Sequence, residues 1–224
     1  MIGLVLAWPS REPAYQGRSL STWLEIYRRR PPDPSAEVRA AISSQGQEAI
    51  RAIGTNGLPC LLGMLRHKNG ALEERLAGIA WKHGIAYVWL APDEVLHEDA
   101  SIGFEILGPE AKDAVPALCK IFEQNISPSS VSGAAVALVA IGPPSRAAIP
   151  TLLRSATNSA GLRFNAIFVL SSLRAAPEIV EPMLVNCLSD RNQGIRRAAA
   201  VALTKYGINP TNVRSGSEFQ RVKQ

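Results

Sequence analysis

Aromatic side chains are scarce in this chain, at 6% of 224 residues, and charged ones stand at 19%, below the roughly one quarter typical of soluble domains. With apolar residues at 46%, a core so poor in aromatics has to be assembled from Ala, Leu, Ile and Val, as closely packed helices are. Three cysteines, at 60, 119 and 187, are odd in number and lack the CxxC spacing of a zinc or redox site. They read as small core residues. The histidines, at 67, 83 and 97, form no HxxxH or HExxH pattern, so no metal centre is expected. The nucleophile-elbow, phosphate-loop and dinucleotide fingerprints are also missing, and Gly54-Thr55-Asn56-Gly57 reads as a turn. The acidic pairs Glu73-Glu74, Asp93-Glu94 and Glu98-Asp99 point different ways around a helix and are expected to be solvated charge. Neither catalysis nor a cofactor is expected.

The apolar stretch Ile2 to Trp8 is too short to cross a bilayer, which needs about 20 residues, and no basic segment precedes it. Two readings stand: the stub of a longer membrane anchor whose start lies upstream, or a segment packed on the first helices. The first implies a membrane-tethered protein, extracytoplasmic or cytoplasmic. A formal charge of +5 with no long basic run permits binding to nucleic acid or acidic lipid and implies neither.

What the chain does have is repetition. Leu107-Gly108-Pro109 with Pro116 and Leu118 returns as Ile141-Gly142-Pro143 with Pro150 and Leu152, then in degraded form as Leu173 with Pro182 and Leu184. The intervals 107 to 141 and 141 to 173 are 34 and 32 residues, and Tyr206-Gly207 follows 33 later. A period in this range marks stacked helical repeats. The glycine is expected to cap one helix in the left-handed region. The second proline, worth about 3 kcal/mol of disruption in mid-helix, is expected to kink or restart the next. Residues 195, 199, 202, 203 and 206 share one helical face, and 162, 166, 169, 170 and 173 repeat it.

Earlier, Thr22 and Glu25 have capping-box spacing, with a helix to about Arg30. Further helices are expected over Ser35–Ile53, Leu58–Leu65 and Leu72–Leu90, the last holding Trp81 and Trp89. Ala91-Pro92 opens one that runs to Leu107. The organisation expected is an apolar stub and linker over 1–17, about five helix pairs over 18–207, and a frayed tail over 208–224.

Asp190, Ile195, Arg196, Ala198, Ala199 and Leu203 resemble the second-helix pattern of the HEAT-repeat family, and Asp33, Val38 and Arg39 repeat the Asp-to-Arg spacing. The phrases starting at Tyr15 and Phe104 are similar to bacterial HEAT-repeat proteins of unassigned function, often membrane-anchored. The resemblance implies an all-α fold, a right-handed α-solenoid of stacked antiparallel helix pairs. It also implies a structural ladder between adjacent repeats, of Asp33, Arg39, Asp190 and Arg196, broken in the middle, where 157 is Thr and Ser132 replaces an Arg. Some HEAT-like proteins are DNA glycosylases, and Trp81, Trp89 and Asp93 could hold a base, but that group's motifs are missing. HEAT-like proteins that attach bilin pigments have no signature here either.

The function expected is a non-catalytic scaffold or adaptor that binds a protein or peptide along one face. Aligning the last two helices sets Phe164 opposite Arg197, Ile167 opposite Ala200 and Phe168 opposite Val201. Arg163, Phe164, Ile167, Phe168 and Arg197 are the candidate partner site, against the alternative that these side chains pack between repeats. The other function considered is nucleic-acid binding, with or without base repair, through Arg39, Arg163, Arg196 and Arg197.

Overall fold

The computed structural model describes residues 12–28, 36–68, 70, 92–174 and 176–214. The segment 72–90 with Trp81 and Trp89, the apolar stretch 2–8, and Asp33 lie outside them. Helix accounts for 82% of the described residues, in line with the all-α class expected. Among the described residues no helix is long and apolar enough to cross a membrane. The chain divides into two compact units, one up to Ile141 and one from Gly142.

The first unit opens on a small hairpin of β1 (Ala14–Tyr15) and β2 (Arg18–Ser19), which the sequence did not announce. It leads into α1 (Leu20–Arg28) and is pinned to it: Trp23 Nε1 donates to the Tyr15 carbonyl at 3.0 Å and Ser21 Oγ to Glu12 at 2.7 Å. The expected linker boundary at 17/18 therefore cuts through a folded element. The cap of α1 is Ser19, whose Oγ accepts the Thr22 N–H at 3.3 Å. Thr22 lies inside the helix, so the expected capping box is displaced by one turn.

Helices α2 (Ala36–Ile53), α3 (Leu58–Arg66), α4 (Asp93–Leu107), α5 (Val115–Gln124) and α6 (Pro128–Ile141) complete this unit. Its centre is α4, which packs on both α3 and α6 and also touches α1 and α2. Leu61, Leu65, Phe104, Phe122, Leu138 and Ile141 are among its fully buried side chains.

The second unit contains α7 (Ile149–Ser155), α8 (Ala160–Leu173), α9 (Pro177–Cys187), α10 (Gln193–Lys205) and α11 (Pro210–Arg214). α8 packs on α7 and α10, and α9 on α10. The expected face is buried at Leu162, Ala166, Val169 and Leu170 and at Ile195, Ala199, Ala202 and Leu203. The short helix α11 corrects the expectation of a frayed tail over its own five residues; 215–224 lie outside the described residues.

The repeated phrase resolves into a mechanism. Gly108 and Gly142 have φ of 53° and 73° with ψ near −132° and −135°. This is a region open only to glycine, not the left-handed helical cap expected. A 3₁₀ segment follows each, Gly108–Ala114 and Pro143–Ala148. The second prolines, Pro116 and Pro150, then stand within the first two positions of α5 and α7, where a missing N–H costs nothing. Both restart the chain. Pro182, by contrast, lies inside α9. In the degraded repeat the turn falls on Arg174 and Ala176, both with φ of 43°, which for a side-chain-bearing residue costs about 1–2 kcal/mol.

Helix-interior Gly133 has a different cause. A Cβ there would stand 2.5 Å from Leu65 Cδ2 and 3.2 Å from Ser101 Oγ, and Leu65 is fully buried. Gly161, on α8, would meet nothing within 4 Å. Gly133→Ala should therefore lower stability by about 1–3 kcal/mol through overpacking, while Gly161→Ala should raise it by roughly 0.4–1 kcal/mol. Urea unfolding of both variants checks this, and two shifts of the same sign would contradict it.

Candidate partner-binding face

Helices α8 and α10, AGLRFNAIFVLSSL and QGIRRAAAVALTK, contain no Asp or Glu. Side-chain links join them at both ends. Near their N-termini Arg163 Nη1 donates to the Asp190 carboxylate. At their C-termini Lys205 Nζ donates to Ser172 Oγ at 3.5 Å, and the Tyr206 hydroxyl donates to the Leu170 carbonyl at 3.0 Å. The two helices therefore run parallel, with 172 beside 205. Stepping back one turn at a time places Phe168 beside Val201 and Phe164 beside Arg197.

The outcome for each expected site residue is specific. Phe164 and Phe168 are 48% and 37% exposed, and Val201, their neighbour on α10, is 62% exposed. Arg197 faces solvent. Ile167 does not: at 1% exposure it belongs to the core, because it sits one residue past the stripe that includes Ala166. Lys205 extends the exposed row on α10 and was not singled out by the sequence. The 33-residue offset that relates it to Ser172 was available to find it.

Arg163 also changes role. Besides Asp190 it binds the Asn158 carbonyl through Nη2 at 2.9 Å, while its buried Nε lacks a partner. Arg196, its equivalent 33 residues on, donates to the carbonyls of Asp190 and Arg191 at 2.8 and 2.9 Å. Each arginine thus fastens the loop that leads into its own helix, five residues back in both cases. The Asp190 carboxylate is taken by Arg163 and by the Asn192 N–H at 2.7 Å, a rung between neighbouring helices in which Arg163, not Arg196, supplies the cation. The Asn192 N–H first, and Arg163 with it, hold the Asp190 carboxyl below the usual carboxylate range. Thr157, where no aspartate stands, bonds the Arg154 carbonyl at 2.7 Å. The Arg39 side chain lies outside the described residues. Beside Arg197, Pro210 and Thr211 of α11 help to line a shallow recess.

A polar cluster in the first unit was not expected. His97 Nε2 lies 3.1 Å from the His67 carbonyl and Nδ1 lies 2.8 Å from Ser129 Oγ. A carbonyl only accepts, so Nε2 carries the hydrogen and Ser129 donates to Nδ1. Ser130 Oγ donates to the Leu65 carbonyl at 2.6 Å, and His67 Nδ1 lies 3.0 Å from Asp93 Oδ1. The side chains of His97 and Ser130 thus satisfy carbonyls at and just past the end of α3. Ser129 and His97 have the separation of a nucleophile and base, but the His97 ring is buried at 2% exposure. Burial holds His97 below its ordinary pKa. Among the described residues no group of three or more His, Cys, Asp or Glu is placed to hold a metal ion.

Asp99 corrects the reading of Glu98-Asp99 as solvated charge. It is 6% exposed and accepts Arg28 Nε at 2.7 Å. Burial pushes its carboxyl up to about 6, with Arg28 opposing that only in part. Of the cysteines, Cys60 and Cys187 are buried as expected, while Cys119 is half-buried.

Comparison with protein-family models, with curated proteins and with solved structures found no match to this chain.

Two measurements follow from these contacts. Asp99 binds its proton more tightly folded than unfolded, where its pKa is about 3.9. Its contribution to stability is therefore present at low pH and lost as pH rises through about 6. The lowered pKa of His97 acts the other way: its contribution is lost as pH falls through that value. In thermal melts Asp99→Asn should gain on the wild type between pH 5 and pH 7.5, whereas a constant difference would contradict the burial. For the rung, Arg163→Ala and Asp190→Ala should each lower the melting temperature, and the double variant should lose less than the two singles together. Strict additivity would mean that the pair does not interact.

Proposed function

We propose that the chain is a non-catalytic scaffold or adaptor that binds a protein or peptide along one face of a HEAT-like solenoid. The observation that carries this reading is the exposure of Phe164 and Phe168 on α8 and of Val201 on α10, the helix packed against it. Single exposed apolar residues are ordinary, but a contiguous group of large ones rimmed by polar side chains is the usual mark of a partner site. The face belongs to two helices held in parallel at a 33-residue offset, each with an arginine fastening its leading loop. The Gly–3₁₀–Pro restart at two places in the chain also supports a repeat architecture.

Less supports nucleic-acid binding. Two of the four arginines considered, Arg163 and Arg196, are bound to main-chain carbonyls, and Arg163 also to Asp190. A stripe that tracks phosphates needs free cations along its length.

Phe164→Ser combined with Phe168→Ser tests the proposal. If the face is for binding, the melting temperature of the full chain shifts by no more than roughly 4 °C, while affinity for a selected peptide is lost. A collapse of the melting temperature would place both rings in the fold's own packing and remove the reading.

A further inference from the structure

We infer that the occupant of this face is an acidic amphipathic segment of a partner protein, in which apolar side chains lie between carboxylates about two helical turns apart. The inference rests on the adaptor reading and names its ligand chemistry.

The argument begins with where the charge is. From residue 142 to the end the chain has eleven Lys and Arg against four Asp and Glu, while residues 1–141 have thirteen against fifteen. The whole positive excess therefore lies in the second unit. Of its four acids, Asp190 is engaged by Arg163, and Glu178 and Glu181 are on α9. None is on α8 or α10. The exposed cations on α10, Arg197 and Lys205, therefore have no carboxylate on either helix to neutralise them.

The cations are also placed. On α10, Arg197 stands one turn before Val201 and Lys205 one turn after it, and both are exposed. Eight residues at 1.5 Å each set them about 12 Å apart along the helix. Val201 stands between them on α10, with Phe168 level with it on α8 and Phe164 level with Arg197. A partner that satisfies both ends offers a carboxylate to each and covers the middle with Leu, Ile, Val or an aromatic residue. Opposite charge at the rim steers the encounter and rejects basic sequences, while the apolar centre contributes most of the affinity. Nucleic acid matches less well, since Val201 offers a phosphate no donor between the two cations.

The test is selection of random dodecapeptides displayed on phage against the immobilised full chain, with counter-selection on the Phe164→Ser/Phe168→Ser variant. Expected are sequences with apolar residues between Asp or Glu. One synthetic member should then bind about tenfold more weakly to the Arg197→Glu/Lys205→Glu variant, roughly the effect of reversing two rim charges. Enriched sequences that are neutral or basic would overturn the inference and leave the adaptor reading in place. So would a charge-reversal effect smaller than twofold. No enrichment over counter-selection would overturn both. Displacement of the peptide by oligo(dT) or by phosphatidylserine vesicles at 150 mM salt, at lower concentration than the free peptide needs, would reassign the face to phosphate-bearing ligands.

Discussion

A helix leaves its first amides and last carbonyls without partners, and this chain has to end a helix every dozen residues or so. Much of what is distinctive in the sequence answers that demand. Gly108 and Gly142 take the chain out of α4 and α6 into 3₁₀ turns, and Pro116 and Pro150 begin the next helix where no amide is missed. After α10 the Ile208 N–H returns to the Leu203 carbonyl and the Gly207 N–H to that of Thr204, at 3.0 Å each, the paired closure typical of a glycine-terminated helix. Side chains do the remainder: His97 and Ser130 around the end of α3, Arg163 and Arg196 on the loops before α8 and α10. Polar residues that would read as chemistry are in large part occupied with holding helix ends.

That occupation explains which parts of the site were legible in the sequence. The Gly–Pro phrase could be read because a positive φ and a position without an amide each call for one residue type. Helix α4 was expected to end at Leu107 and does so, and the helices starting near 35 and 58 were likewise placed closely. The role of Arg163 was not legible, because its partner Asp190 is 27 residues away and only folding brings them together. Asp99 is a sharper case: nothing local separates it from Glu98, and the Arg28 that accompanies it into the interior is 71 residues distant. Ile167 was misplaced for another reason. α8 is apolar nearly all the way round, so its pattern distinguishes faces weakly, and Ile167 and Phe168, one residue apart, fall on opposite sides of the surface.

Helix α4 concentrates the buried polar groups of the first unit. His97 and Asp99 are two residues apart, hence on different sides of the helix, and each faces a different neighbour: His97 the end of α3 and the start of α6, Asp99 the end of α1. Burial acts on both by the same physics and shifts them oppositely, because it disfavours a cation in one case and an anion in the other. Ionisation of either would leave a poorly solvated charge at the hub on which α1, α3 and α6 all pack. The hub is thus most secure when both side chains are neutral, with Arg28 limiting the penalty when Asp99 is not.

The cations at the two ends of the α10 row have a consequence for copies of the chain meeting one another. In a twofold face-to-face encounter Arg197 of one molecule would be brought against Lys205 of the other, and the reverse, with no carboxylate on α8 or α10 to relieve them. Two like-charge oppositions would form before Phe164, Phe168 and Val201 could be covered. An apolar strip of this kind is ordinarily an invitation to self-association. In the proposed adaptor these flanks would act as gatekeepers: the side chains that oppose a second copy of the strip are the same ones that would receive a surface of the opposite sign.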